Sequence, residues 1–131
     1  MQKLHEFLSK AGTYYLATTD GEQPRVRPFG TALLFEEKIY ILTSREKAVS
    51  KQIDSNPKFE ISAMDSPDKW IRVSGVLKQD NRLEVHEAML KQYPHLKSSY
   101  TAGDSNTNTL YLDGIKAVIY SFTAEPEILD I

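Results

Sequence analysis

The 131-residue chain contains no cysteine, which excludes disulfides, thiolate metal sites and thiol nucleophiles together. Its three histidines, His5, His86 and His95, are too scattered to form a metal cluster. No run approaches the ~18 apolar residues of a membrane span. The opening MQKLHEFLSKAG is broken by charges and lacks the apolar stretch of a signal peptide, so a cytoplasmic address is the default. Positive charge is not in surplus either. Sixteen Lys and Arg face eighteen Asp and Glu, a net charge of −2, whereas nucleic-acid binders usually carry a basic excess on one face. Paired carboxylates, a Ser-His-Asp order and a Gly-rich phosphate loop are all missing, which leaves hydrolase chemistry without support.

What remains is an ordinary globular composition, 40% hydrophobic and 26% charged. It suits one domain over residues 1–131, long enough to bury a single core. Leu4, Phe7 and Leu8 fall at helical spacing between Gln2 and Lys10, with Gly12 as a stop signal. Thr13 to Thr19 reads as a strand running into Asp20-Gly21, a strong hairpin signal. PRVRPFG returns, and TALLFEEKIYILTS adds two strands turning at Glu36-Glu37. The period then changes. Val49 and Ile53 sit four apart, Ser44 is placed to cap a helix from Glu46 to Ser55, and Asn56-Pro57 ends it. Strands follow over Lys58–Met64 and Lys69–Lys78. Asn81 and Glu84 resemble a capping box for a helix to about Lys91. Residues 93–108 read as irregular, with a helical turn near Leu96. Two last strands, Thr109–Leu112 and Ile115–Thr123, are joined through Asp113-Gly114. Mostly antiparallel strands with three short helices predict an α+β, mainly β domain, closed as a barrel to hide its edges.

Three segments carry candidate chemistry. In PRVRPFG, alternation puts Arg25, Arg27 and Phe29 on one face and Pro24, Val26 and Pro28 on the other. Guanidinium forks bind phosphate or carbonyl oxygens and stack on rings. The two prolines remove donors and place this strand at an edge or bulge. A solvated outer face is the alternative for both arginines. In TSREKAVSK, Thr43 and Ser44 end a strand where a helix begins, and Lys47 and Lys51 lie four apart. A helix start with hydroxyls and ammonium groups makes an anion cradle; two ordinary surface lysines are the other reading. In WIRVSG, Trp70, Arg72 and Ser74 point one way and Ile71 and Val73 the other. Trp70 could cover a ring system or simply pack on its own rim. His5 and His86 read as ordinary surface residues.

Taken in order, PRVRPFG, IYILTS, KAVSKQIDSNP and WIRVSG resemble the pyridoxamine 5′-phosphate oxidase-like FMN-binding split barrels. The likeness is close from Thr13 to Leu77 and looser over LYLDGIKAVIYSF. It implies a six-stranded antiparallel split barrel, homodimeric, with FMN bound between subunits. By the same resemblance Arg27 contacts the flavin, and Pro28 and Phe29 line its ring. Thr43 and Ser44 lie near the ribityl phosphate, Lys47 and Lys51 are its basic partners, and Trp70 and Arg72 approach from across the dimer. The chain ends at EPEILDI without the Arg-x-His segment that grips pyridoxal in the oxidase, so oxidation of pyridoxamine 5′-phosphate itself is not expected. The expectation is a flavin-dependent oxidoreductase for an unidentified small molecule. Its alternatives are a non-catalytic FMN carrier or sensor, or a barrel holding the deazaflavin F420 or haem.

Overall fold

The computed structural model describes all residues, Met1–Ile131. Helix α1 (Gln2–Ala11) buries Leu4, Phe7 and Leu8, the stripe its spacing predicts. Strands β1 (Tyr14–Asp20) and β2 (Gln23–Phe29) form the hairpin at Asp20-Gly21. Strands β3 (Leu33–Phe35) and β4 (Lys38–Ser44) form a second hairpin. Its two turn residues, Glu36 and Glu37, both adopt positive φ, the backbone a two-residue turn needs to match strand twist. Helix α2 (Ala48–Ser55), strands β5 (Lys58–Ser66) and β6 (Lys69–Gln79) and helix α3 (Leu83–Gln92) follow. A 3-10 turn, Pro94–Ser98, stands where a helical turn near Leu96 is expected. Strand β7 (Thr107–Ser121) and the short β8 (Glu127–Ile128) complete the chain.

All strand pairs are antiparallel, in the order β2-β1-β5-β6-β7-β4-β3 with β8 on β7. The prolines of β2 sit on an edge strand, as the missing donors demand. The sheet curls around one core. Tyr14 and Leu16 of β1 share it with Ile39 and Ile41 of β4, and Ile61, Ile71, Val73 and Leu110 lie between them. Each fully buried aliphatic side chain there contributes roughly 1.5–3 kcal/mol. A smaller core forms on the other face of β4, where Tyr40 and Leu42 meet Val85, Met89 and Leu90 of α3.

Three local expectations are corrected. Asp113-Gly114 does not turn the chain; β7 continues unbroken through it for fifteen residues. Gly114 takes φ +55, and Gly114 with Ile115 oppose the single residue Gly75, because Ser74 pairs with Lys116 and Val76 with Asp113. This is a β-bulge with glycine in the left-handed region. Helix α2 starts at Ala48 with Lys47 as its N-cap residue, not under a Ser44 cap. Ser44 closes the preceding turn instead: its Oγ accepts from the Glu46 amide at 3.2 Å. The capping box of α3 is also absent, for the Asn81 side chain is committed to His86 and Thr109.

A Cβ on Gly75 would stand 2.5 Å from the Asp113 carbonyl oxygen and 3.0 Å from Ile115 Cγ2. Gly75→Ala is therefore expected to lower stability by about 1–3 kcal/mol. Urea unfolding checks it, as a shifted midpoint with an unchanged slope; a midpoint that stays put would show that the bulge yields freely.

Candidate functional site

Where β2 ends and β4 meets α2, the fold leaves a cleft of about 360 Å³. Pro28, Phe29, Gly30 and Thr31 line one side, Leu42, Thr43 and Lys47 a second, and Tyr93, Leu96 and Tyr100 the third, with His95 at the rim. The strand-to-helix junction supplies its polar end. Lys47 stands on an extended residue just before α2 and is exposed, with no carboxylate within ion-pair distance. The Ser50 amide of the first turn donates to Lys47 O at 3.1 Å, and the positive end of the helix dipole makes the junction favour negative charge. Beside Lys47, Thr43 is buried, and its Oγ1 has no hydrogen-bond partner. A buried hydroxyl left unpaired costs roughly 1–3 kcal/mol, so this one is a donor or acceptor in waiting.

The opposite wall is pinned at one carbonyl. Ala32 O accepts from Gln92 Nε2 at 3.1 Å and lies 2.9 Å from His5 Nε2. The Ala32 amide donates to Tyr93 Oη at 2.9 Å. These bonds tie the Gly30–Ala32 segment to α1 and α3 and hold the Tyr93 ring at the cleft. His5 is thus half-buried and structural rather than free on the surface.

Of the residues singled out in the sequence, Pro28, Phe29, Thr43 and Lys47 come together in this cleft. Ser44 is buried beside it but donates to Asn106 Oδ1 at 2.6 Å. Arg27 sits on the inner face of β2 as alternation predicts, yet its guanidinium is engaged within the chain. It donates to Thr18 Oγ1 at 2.6 Å, Leu16 O at 3.2 Å and Gln52 Oε1 at 2.7 Å, clamping α2 to the hairpin. Burial, with Arg25 nearby, pulls this guanidinium below its ordinary value, but it stays a cation at physiological pH. Lys51 does not share the Lys47 cleft. It lines a separate groove with Thr19, Asp20, Gly21 and Gln52, because Lys47 precedes the helix and the pair does not share a helical face.

Trp70 and Arg72 lie on the outer face of β6, while Ile71 and Val73 fill the core. Trp70 stacks on Tyr120 with ring centres 5.5 Å apart and planes 17° off parallel, and it also meets Phe122. The Arg72 guanidinium lies 5.3 Å from the centre of the same Tyr120 ring. Within one chain this aromatic face and the cleft are distinct surfaces. Sequence reasoning missed Tyr93, Leu96 and Tyr100, which sit in the stretch read as irregular. The one legible signal was the tyrosines Tyr93 and Tyr100 recurring in an otherwise polar segment.

A curled antiparallel barrel with an anion-favouring cleft at a strand-to-helix junction defines the split-barrel class. The family described as pyridoxamine 5′-phosphate oxidase matches residues 1–111, and the chain belongs to that FMN-binding split-barrel family. A NimC/NimA family protein from Clostridium acetobutylicum is 41% identical over 100% of this chain and 92% of its own, with a TM-score of 0.95. A pyridoxamine 5′-phosphate oxidase-related, FMN binding protein from Nostoc punctiforme shares the fold at 16% identity and TM-score 0.63, over 97% of this chain and 91% of its own. A heme binding protein from Mycobacterium smegmatis shares it at 13% identity and TM-score 0.73, over 95% of this chain and 57% of its own. No curated protein matches the sequence significantly. No helix is long and apolar enough to cross a membrane.

Thr43→Val removes a hydroxyl that has no bond to lose. The ligand-free protein is expected to keep its stability or gain up to about 1 kcal/mol, read by thermal or urea unfolding. A loss above that size would reveal a partner for the hydroxyl inside the protein.

Proposed function

We propose that this protein binds FMN in the Lys47 cleft and acts as a flavin-dependent oxidoreductase on a small molecule. The observation that carries the reading is the unpaired pair at the cleft's polar end: an ammonium without a carboxylate and a buried hydroxyl without a partner. Both fit a phosphate, which offers acceptor oxygens and negative charge at a helix start. Family membership and the FMN binding protein that shares the fold support the same ligand. When bound, FMN supplies the hydride or electron transfer. Lys47 pairs with the phosphate charge, Thr43 donates its hydroxyl, and Pro28, Phe29 and Tyr93 bound the adjoining space. Clamped to Thr18 and Gln52, Arg27 holds α2 and the hairpin together and adds fixed positive charge on that side of α2. The protein's own groups position and shield; no acid or base among them is required.

The site is completed, on this reading, by a second copy of the chain. The outer sheet face carries Val26, Tyr15, Met64 and Phe122 at 67%, 53%, 50% and 73% exposure. The strand register sets Tyr15 beside Pro28 and Ser62, Ser62 beside Arg72, and Met64 beside Trp70. An apolar face of this kind marks an interaction surface. A homodimer would bury it and bring Trp70 and Arg72 of the partner subunit to the flavin, where a cation favours negative charge on the ring.

Titration separates the parts. Lys47→Ala is expected to weaken FMN about tenfold or more while leaving riboflavin nearly unchanged, since riboflavin carries no phosphate for the ammonium to meet. Equal weakening of both ligands refutes the assignment. For the shared site, mixing Lys47→Ala chains with Arg72→Ala chains should restore one intact site in each heterodimer. Sedimentation as a monomer with FMN fully bound would sink the dimer reading.

A further inference from the structure

His86 is buried in the middle of α3, although its sequence position suggested a surface residue. Its tautomer is fixed by its neighbours. Asn81 Oδ1 accepts from the Thr109 amide at 2.8 Å, so that atom is the amide oxygen, and it lies 2.8 Å from His86 Nε2. Nε2 must then carry the proton and donate. Nδ1 is left as an acceptor, and the Gly103 amide donates to it at 2.9 Å. A second proton on the ring would set an N–H against the Gly103 N–H, donor against donor.

That amide belongs to the segment between the 3-10 turn and β7, which carries Tyr100 into the cleft wall. Tyr100 and Ala102 pack on the small core formed by α3. Farther along, Asp104 Oδ1 holds the Thr107 amide at 2.7 Å, so the segment's far end is anchored independently. We propose that His86 is a positioning residue of the cleft: its neutral imidazole latches the Tyr100-bearing wall through Gly103, and protonation releases it. The wall and its latch stand on the geometry alone; that FMN senses them rests on the reading of the cleft as its site.

The charged groups around the ring do not rescue the imidazolium. Asp104 is committed to backbone amides, and Asp80 is held by Arg82 and the Tyr40 hydroxyl. Arg45 opposes a further positive charge. Burial dominates and pushes the imidazole below its ordinary 6.5. The latch is therefore complete above pH 6.5 and is lost as pH falls through the lower value of the folded state.

Amide hydrogen exchange on the full chain tests this directly. Protection of Gly103, corrected for intrinsic exchange, should fall about tenfold in the wild type as His86 itself titrates, its protonation followed by the ring's own NMR signals. His86→Asn places an acceptor near the Nδ1 position that takes up no proton, so its Gly103 should stay protected over the same pH range. His86→Gln keeps a donor toward Asn81 and loses that acceptor, so Gly103 should exchange freely throughout. FMN affinity should follow: the ratio of wild type to His86→Asn falls with pH, a comparison that cancels titration of the phosphate itself. A wild-type Gly103 amide unchanged when the His86 ring is protonated, or the same loss in His86→Asn, overturns the latch. An amide that opens while the affinity ratio stays constant in a protein that does bind FMN overturns the positioning role. A protein that binds no FMN at all overturns the cofactor reading, and the amide still reports on the latch.

Discussion

One strand carries both halves of this barrel. Residues Thr107–Tyr111 of β7 pair with β4, and Leu110–Ser121 pair with β6, so the two ladders overlap only at Leu110 and Tyr111. A straight strand of fifteen residues could not serve two neighbours on a strongly curled sheet; it must bend, and the bulge at Gly114 opposite Gly75 provides added twist. The rest follows from that geometry. The far end of β7 sets Thr43 and Ser44 opposite Asn108 and Thr107, which fixes the strand end that opens into α2. The near end sets Tyr120 opposite Trp70. The polar junction and the aromatic face are therefore positioned by one backbone and cannot drift independently.

The parts of the fold that were legible are those in which a local pattern has a single structural outcome. Leu4, Phe7 and Leu8 can share a face only on a helix, and Asp20-Gly21 between two β-rich runs can hardly do other than turn. The failures share a different cause. Asp113-Gly114 carries the same dipeptide chemistry as a hairpin, because a turn and a bulge both ask for a residue with positive φ. What decides between them is β6, an unbroken eleven-residue partner thirty-odd positions earlier. Ser44 and Asn81 illustrate the same point for polar groups. Each could have capped a helix, but the Ser44 hydroxyl accepts from Glu46 within the preceding turn while donating to Asn106, and the Asn81 oxygen is taken by Thr109 and His86.

The candidate site was legible unevenly for a related reason. Pro28, Phe29, Thr43 and Lys47 flank element ends, where composition and function both leave marks. Lys51 was drawn in by helical spacing, and it fell away because the helix begins one residue after Lys47. Tyr93, Leu96 and Tyr100 were invisible as a wall because no period links them; they converge only once α3 and the 3-10 turn fold back over β4.

Two features of the cleft bear on why its function is separable from its stability. Arg27, the most deeply held cation nearby, meets only neutral oxygens, and Lys47 meets no carboxylate at all. An acidic neighbour for either would add attraction within the chain, but it would also cancel the field that an anionic ligand needs. The orphaned Thr43 hydroxyl follows the same logic, since a fold optimised for itself would have given that atom a partner or replaced it with carbon. The curl of the sheet around its core, the β7 bulge and the two cores bear the stability, and the junction between β4 and α2 is left electrostatically unfinished. On the proposed reading, a phosphate finishes it.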